Sequence, residues 1–416
     1  MVMEKKFLKG NPLKDISEYD FPGLRRALSL GQENVIQEIS DSMLLGRGGA
    51  GFPTGTKWSL ALEQAGDKKY FICNADEGEP GTFKDRFLLE ERPLKVLEGL
   101  MIGAYAVGAD EGFIYIRGEY DLPIKIFREI LEDARDEGIL GKNIFGSDFD
   151  FDLTLVRGAG AYVCGDETSL INSIEGKRGI SRIKPPYPIQ EGLFGNPTVV
   201  NNVESLACAA EIINKGAGEF VALGTDNSRG TKLVSLSGDI NLPGVYEIEF
   251  GCGTLEEIIN DLGGGVSYGN KPKFVIPGGL STAALLPEEL NCGYSYEDIE
   301  EAGSSLGSGA IIVVGESRDL VEILLKVSRF YMDETCGTCF PCREGNKQIN
   351  FMLNQHKNKK FTRQEVEIIK DIGDAIAAAA RCGLGQTSLS LIESIFDKFP
   401  EELIEEVRHS EKVRNR

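Results

Sequence analysis

The strongest chemical signal in this sequence is a run of three cysteines, Cys336-Gly-Thr-Cys339-Phe-Pro-Cys342. Thiolates at this C-x2-C-x2-C spacing wrap one face of a compact soft-metal site, and iron–sulfur clusters use such runs. Structural zinc more often takes two separated pairs, so zinc is a second reading and an incidental set of buried thiols a third. A 4Fe-4S cluster needs a fourth thiolate. Among Cys73, Cys164, Cys208, Cys252, Cys292 and Cys382, only Cys382 falls in the same helical region, at a helix end before Gly383-Leu-Gly385. Spacing favours Cys382, against the common fate of a lone cysteine as a small buried residue. The others read as core. Arg343, beside the run, either offsets cluster charge or is simply solvated.

Two glycine loops form the next signal. Gly46-Arg47-Gly48-Gly-Ala-Gly51-Phe52-Pro-Thr-Gly55-Thr-Lys57 contains a literal G-x-G-x-x-G. As a dinucleotide fingerprint it is weak, because Asp41–Leu45 is a poor strand and Pro53 and Gly55 are expected to interrupt the helix that should open at the third glycine. Contiguous glycines beside Arg47 and Lys57 still suit backbone amides approaching a phosphate or a flat ring, the alternative being a plain connector. The second loop, Gly158-Ala-Gly160-Ala-Tyr162-Val-Cys-Gly165-Asp166-Glu167, follows a credible strand and leads into a helix. Asp166 and Glu167 are ligand contacts or first-turn carboxylates favoured by the helix dipole. Asn74-Ala-Asp76-Glu77-Gly78-Glu79 puts an amide and three carboxylates at a strand end. Such carboxylates accept ribose hydroxyls and repel a 2′-phosphate; otherwise the segment is an ordinary acidic surface loop. Asn201 and Asn202 face the polar edge of a flavin or form a turn.

The elements that must position these groups read as follows. The length of 416 residues is too great for one core and suggests several domains. Tyr70–Asn74, Gly112–Ile116 and Leu153–Val156 are expected strands, alternating with helices near Pro93–Val107 and Leu122–Glu137, which is an α/β pattern. Between Gly230 and Ser317 come a strand pair, a helix opened by a Thr254/Glu257 capping box and ended by Gly263–Gly265, and two more strands, the order of a β-grasp module. After Ser317 the periodicity is helical, with a second capping box at Thr362/Glu365 and runs at Leu389–Phe399 and Leu403–Val407, a bundle of about four helices. The expected division is an N-terminal segment 1–45, an α/β domain 46–228, a β-grasp domain 229–317 and a helical bundle 318–416.

Composition excludes several classes. Lys+Arg 45 against Asp+Glu 65 leaves a formal charge of −20, which repels nucleic acid and anionic lipid. Only His356 and His409 are present, which argues against histidine-built metal sites. Nine clustered cysteines suit metal ligation in a reducing compartment better than disulfides. No secretory or membrane-spanning run is visible, so a cytoplasmic location and no membrane insertion are expected.

Taken together, GRGGAGFPTGTKW, NADEGEPGTFKDR, RGAGAYVCGDET, PTVVNNVESL and ETCGTCFPCREG with RCGLG closely resemble the NADH-binding flavoprotein family (the F subunits) of respiratory complex I, NADH:quinone oxidoreductase. The resemblance spans Gly46 to Gly385 and implies a Rossmann-like domain holding FMN and NADH, a β-grasp domain, and a helical bundle with one 4Fe-4S cluster. It places FMN against Gly46, Arg47, Gly48, Lys57, Asn74, Asp76, Glu77, Tyr162, Gly165, Asp166, Glu167, Asn201 and Asn202. NADH is implied near Glu79, Glu167 and Lys184, with Phe52 or Tyr187 stacking on adenine. Cys336, Cys339, Cys342 and Cys382 are implied as the cluster ligands. Asp166 departs from the family, which commonly has Glu there.

The implied chemistry is hydride transfer from NADH to FMN, needing no covalent nucleophile, because a flavin links a two-electron donor to one-electron clusters. The implied partners are a thioredoxin-like 2Fe-2S protein (the E subunit) and a large iron–sulfur protein (the G subunit), in a peripheral arm on the cytoplasmic side of a membrane complex. The nearest rival is the diaphorase component of a soluble NAD-linked hydrogenase or formate dehydrogenase. Those relatives often carry added cluster domains, and this chain has no cysteine before Cys73 or after Cys382. A rival from another class is a zinc-stabilised nucleotide-binding scaffold.

Overall fold

The computed structural model describes residues 2–66 and 68–405. The chain divides into two compact units, Met1–Glu316 and Ser317–Arg416. Among the described residues no helix is long and apolar enough to cross a membrane.

In the first unit, apolar runs form four parallel strands, β1 (Tyr70–Ala75), β2 (Glu111–Ile116), β3 (Asp152–Arg157) and β4 (Thr198–Asn202). Helices α1 (Pro22–Leu30), α2 (Gln32–Asp41), α3 (Thr54–Leu62), α4 (Lys84–Glu91), α5 (Pro93–Val107), α6 (Asp121–Asp136), α7 (Glu167–Ile174) and α8 (Val203–Lys215) precede, connect and follow them. Such crossovers are what parallel pairing requires. All of α5 except Tyr105 is buried, with Lys95 and Glu98 paired at 3.2 Å among its otherwise largely apolar residues. The strand order is β3-β2-β1-β4. The chain therefore works outward from β1 in one direction and then returns to pair β4 on its other side. At such a reversal the loops leaving β1 and β4 part to opposite sides, opening a crevice at the carboxyl ends of the two strands.

One expectation needs correction here. No helix opens at the third glycine, Gly51, but Gly55 does not break the helix α3 that starts at Thr54. Pro53 occupies the N-cap of α3, where no amide hydrogen is needed, and Gly55 lies inside the helix. A Cβ on Gly55 would sit 2.7 Å from the Ser40 Cα, so close packing on α2 demands glycine there. The N-terminal segment packs into the first unit. Phe21, Leu24, Val35 and Ile39 share the core of α5 and α8, and the Leu8 and Lys9 amides donate to the Glu247 carboxylate.

A second sheet in the same unit contains β5 (Thr231–Gly238), β6 (Gly244–Glu249), β7 (Pro272–Ile276) and β8 (Ala310–Gly315), in the order β6-β5-β8-β7. β5 pairs antiparallel with β6 and parallel with β8, which pairs antiparallel with β7. The Thr254/Glu257 capping box forms, opening a short turn Leu255–Glu257 that widens into a π-turn Ile258–Leu262.

The second unit is helical throughout its described elements, chiefly Leu320–Glu334, Phe340–Asn354, Arg363–Ala379 and Ser390–Lys398. Asp319 caps the first by accepting from the Glu322 amide, and Thr362 with Glu365 forms the expected capping box. Leu320, Leu324, Val327 and Tyr331 bury one stripe of the first helix. The expected run Leu403–Val407 is different: a short helix Pro400–Leu403 ends at its first residue, and 406–416, with His409, lie outside the described residues.

Candidate functional site

A cavity of about 710 Å³ opens where the strand order reverses, within the range of small-ligand sites. Asn74, at the end of β1, and Val200, Asn201 and Asn202, at the end of β4, form one wall. The loop from Gly46 to Phe52 and the first turns of α3, with Lys57, form another. Gly165, Asp166 and Glu167, with Lys184 and Tyr187, close a third side. Glycine at 48 lets its loop approach the strand, since a Cβ there would lie 3.1 Å from the Asn202 Cβ. Phe52 and Tyr187 keep about half their surface exposed, so two rings stand at the mouth.

Polar groups in the cavity are held from behind. Asn74 Nδ2 donates to the Gly165 carbonyl at 2.8 Å, tying the second glycine loop to β1. Lys57 Nζ donates to the Val200 carbonyl at 3.0 Å. Burial pushes the Lys57 ammonium below the usual lysine range, and the Glu167 carboxylate pulls it back up. Lys184 pairs with Glu167 at 2.6 Å, which outweighs burial and holds Lys184 above its ordinary value. Asp166 serves as the N-cap of α7: its Oδ1 accepts from the Thr168 and Ser169 amides at 3.0 and 3.1 Å. The shorter side chain at this position fits that capping geometry.

Five of the expected residues do not line the cavity: Arg47, Asp76, Glu77, Glu79 and Tyr162. The Arg47 side chain runs behind its loop, donating from Nη2 to the Arg229 carbonyl at 2.8 Å and lying 4.7 Å over the Phe250 ring. Glu77 turns to the start of α4 and accepts from the Asp85 and Arg86 amides and the Tyr120 hydroxyl. Burial, reinforced by Asp85, pushes its carboxyl up to about 7. Asp76 is buried beside it. Glu79 accepts from the Tyr162 hydroxyl at 2.5 Å and from the Ser281 amide at 2.9 Å, so the loop after β7 holds it. Burial raises the Glu79 carboxyl.

Behind the cavity lies an ion network that sequence reasoning missed. Lys84 pairs with Asp85 at 2.7 Å and with Glu204 at 3.0 Å, and Glu204 pairs with Lys232 of β5 at 2.6 Å. All four are buried. Burial lowers Lys232 to about 8 despite Glu204. Trp58, Ser205 and Ser281 were missed as well. A lone tryptophan in a helix and scattered serines carry no spacing that could have flagged them.

In the second unit Cys336, Cys339 and Cys342 lie on the loop and first turn entering the helix Phe340–Asn354, and Cys382 is the N-cap of the short helix Gly383–Gln386. Burial raises the Cys342 thiol, and Cys382, Cys339 and Cys336 each raise it further, which places all four sulfurs in one electrostatic neighbourhood. Thr335 Oγ1 lies 3.3 Å from Cys342 Sγ, and Asn346 Nδ2 lies 3.6 Å from it. A Cβ on Gly385 would lie 3.3 Å from the same sulfur, so glycine keeps that side open. Among the described residues no three His, Cys, Asp or Glu side chains converge on a single metal ion. Arg343 donates from Nη1 to the Gly337 carbonyl at 2.8 Å, bracing the cysteine loop.

Two family models match the chain. Residues 39–211 match the Nuo51 FMN-binding domain, and residues 322–406 match the NADH-ubiquinone oxidoreductase-F iron–sulfur binding region. The chain is 45% identical over 382 residues to the F subunit of the NADH-quinone oxidoreductase of Aquifex aeolicus, covering 92% of this chain and 88% of that one. It is also 45% identical to HndC, a subunit of the NADP-reducing hydrogenase of Solidesulfovibrio fructosivorans, covering 92% and 78%. Among solved structures, a NAD+-reducing NiFe-hydrogenase in the H2-reduced state superposes with a TM-score of 0.82 at 35% identity. That match covers 94% of this chain and 64% of the hydrogenase chain. With its Rossmann-like parallel sheet and its cysteine loop, the chain belongs to the family of NADH-quinone oxidoreductase F subunits, NADH-oxidising FMN flavoproteins with a 4Fe-4S region.

Proposed function

We propose that FMN and NADH share the cavity at the β1–β4 reversal, and that Cys336, Cys339, Cys342 and Cys382 hold the 4Fe-4S cluster. The observation that carries this reading is the convergence there of Lys57, Asn74, Asn201, Asn202 and the glycine loop from Gly46. When bound, FMN supplies the conversion between a hydride and single electrons that the cluster can pass on. The protein's own task is positioning. Gly46, Gly48 and Gly165 offer backbone to the cofactor, and Asp166 fixes the second loop by capping α7. Arg47, Asp76, Glu77 and Tyr162 support the site from behind. Phe52 and Tyr187 offer flat faces to the adenine, while Glu79, Glu167 and Lys184 orient the dinucleotide. Holding the reactants in register while excluding water is the main catalytic contribution such a site can make.

The second sheet is read as a β-grasp module and the second unit as a helical bundle, dividing the chain at 46–228, 229–317 and 318–416. Electrons leave towards quinone in a multi-subunit complex, with a thioredoxin-like 2Fe-2S protein and a large iron–sulfur protein as neighbours, on the cytoplasmic side of a membrane. A hydrogenase setting is the second reading, because the HndC relative is as similar as the quinone-reductase one. Purification under anaerobic conditions tests all of this. Flavin bands and a broad iron–sulfur shoulder, both bleached by NADH, are expected, and mass spectrometry of co-purified proteins decides between the two settings. A colourless protein with stoichiometric zinc would overturn the redox reading. Glu79→Ala should alter KM for NADH or the preference between NADH and NADPH more than FMN content; unchanged kinetics would refute its role.

A further inference from the structure

Asn201 and Asn202 end β4 side by side, and each amide has one orientation that its neighbours allow. Trp58 Nε1 donates to Asn201 Oδ1 at 3.0 Å. An indole N–H donates and never accepts, so the oxygen of Asn201 must face Trp58 and its NH2 end is left towards the cavity. Asn202 is fixed by the same logic: its Nδ2 donates to Asp85 Oδ2 at 2.6 Å, and its Oδ1 accepts from the Glu204 amide at 3.0 Å. One N–H of Asn202 therefore remains uncommitted. Lys57 Nζ adds further donors beside them. Trp58 itself is fully buried on α3, with its ring edge-on to Phe71 at 6.0 Å, so its N–H direction is set by packing.

We infer that Trp58 is a positioning residue: it turns the Asn201 amide so that this wall presents N–H donors and receives a ligand edge made of acceptor atoms. The inference rests on the FMN reading above and adds to it the polarity of the contact and the residue that enforces it. The hydrogen bond that Trp58→Phe removes is the one to Asn201, which gives a thermodynamic signature. Residues acting on one interaction are non-additive when both are changed.

The test measures FMN dissociation constants by fluorescence on the full chain, stripped of flavin and titrated with FMN. Trp58→Phe keeps the ring and loses the donor, and should weaken binding about three- to tenfold, the worth of one hydrogen bond. Asn201→Ala should weaken it at least as much, and Trp58→Phe should add nothing in the Asn201→Ala background. Additive losses would overturn the inference. Asn201→Asp supplies an independent arm. Its cavity-facing oxygen donates only when protonated, so FMN affinity should fall at pH 8 and recover towards the unaltered protein only as pH falls through the aspartate range, near about 4. The unaltered protein, titrated in parallel, accounts for Lys57, Asp166, Glu167 and Lys184, which share the cavity. A pH-independent Asn201→Asp variant would also overturn the inference, and this arm decides the matter if Trp58→Phe fails to fold. If the unaltered protein binds no FMN, the proposed function falls together with it. Binding with additive losses sinks only the role of Trp58.

Discussion

The cavity of the first unit and the cysteine loop of the second are built by opposite means. Three of the four thiols lie within seven positions, Cys336 to Cys342, and one short loop brings them together. The cavity gathers residues from Gly46 to Ser205, and the ions behind it extend to Lys232. A local site needs only a turn and a helix start. A dispersed site needs the whole sheet to be in register before any of its groups meet, and its charges are then trapped away from water. Damage to the first should therefore be chemical and confined, whereas damage to the second should be felt as lost stability.

The largest effect is expected at the thiols. Cys342→Ala removes a central sulfur, and iron and acid-labile sulfide should fall to near zero while FMN binding persists. Retained iron would break the comparison at its simpler end. Next comes Glu204→Gln, which leaves Lys84 and Lys232 buried against a neutral amide. Breaking such a pair costs about 3–5 kcal/mol, to be read from urea unfolding of the first unit, with iron content unchanged. A loss below about 1 kcal/mol would mean that the network does not hold the cavity.

A smaller, pH-dependent effect is expected at Glu77. Burial raises its carboxyl from 4.5 to about 7 in the folded protein. Between those values the unfolded chain releases a proton that the folded one keeps, so stability present below pH 4.5 is lost as pH rises to 7. The loss is on the order of 2–3 kcal/mol. Glu77→Gln should flatten that part of the stability profile, and an unchanged slope would assign it to other groups. The smallest effect is expected at Thr362→Ala, which removes one cap in the second unit and costs about 1 kcal/mol. Thermal unfolding that resolves the two units should show it in the second alone.

Much of this architecture was legible beforehand where the signal was local. The helix expected near Pro93–Val107 has those limits, and β1 extends the expected Tyr70–Asn74 by one residue. The two capping boxes formed where threonine preceded glutamate by three positions. Local reasoning failed at Gly55, where contact with Ser40 on α2 overrides helix propensity. It also could not tell which carboxylates of the acidic loop face the cavity. Glu77 and Glu79 are turned away by partners on α4 and after β7.

By itself, the order of amino acids determined the thiol spacing, the glycine loops and the strands that carry them, because those depend on neighbours a few residues apart. Only the tertiary structure decided which end of each amide meets the cavity and which charges share a buried network. Trp58 and Asn201 are 143 positions apart, and Lys232 and Glu204 meet across two different elements. A hydrogen bond fixes the direction of a side chain only once its partner is in place, and such partners arrive from distant parts of the chain through packing.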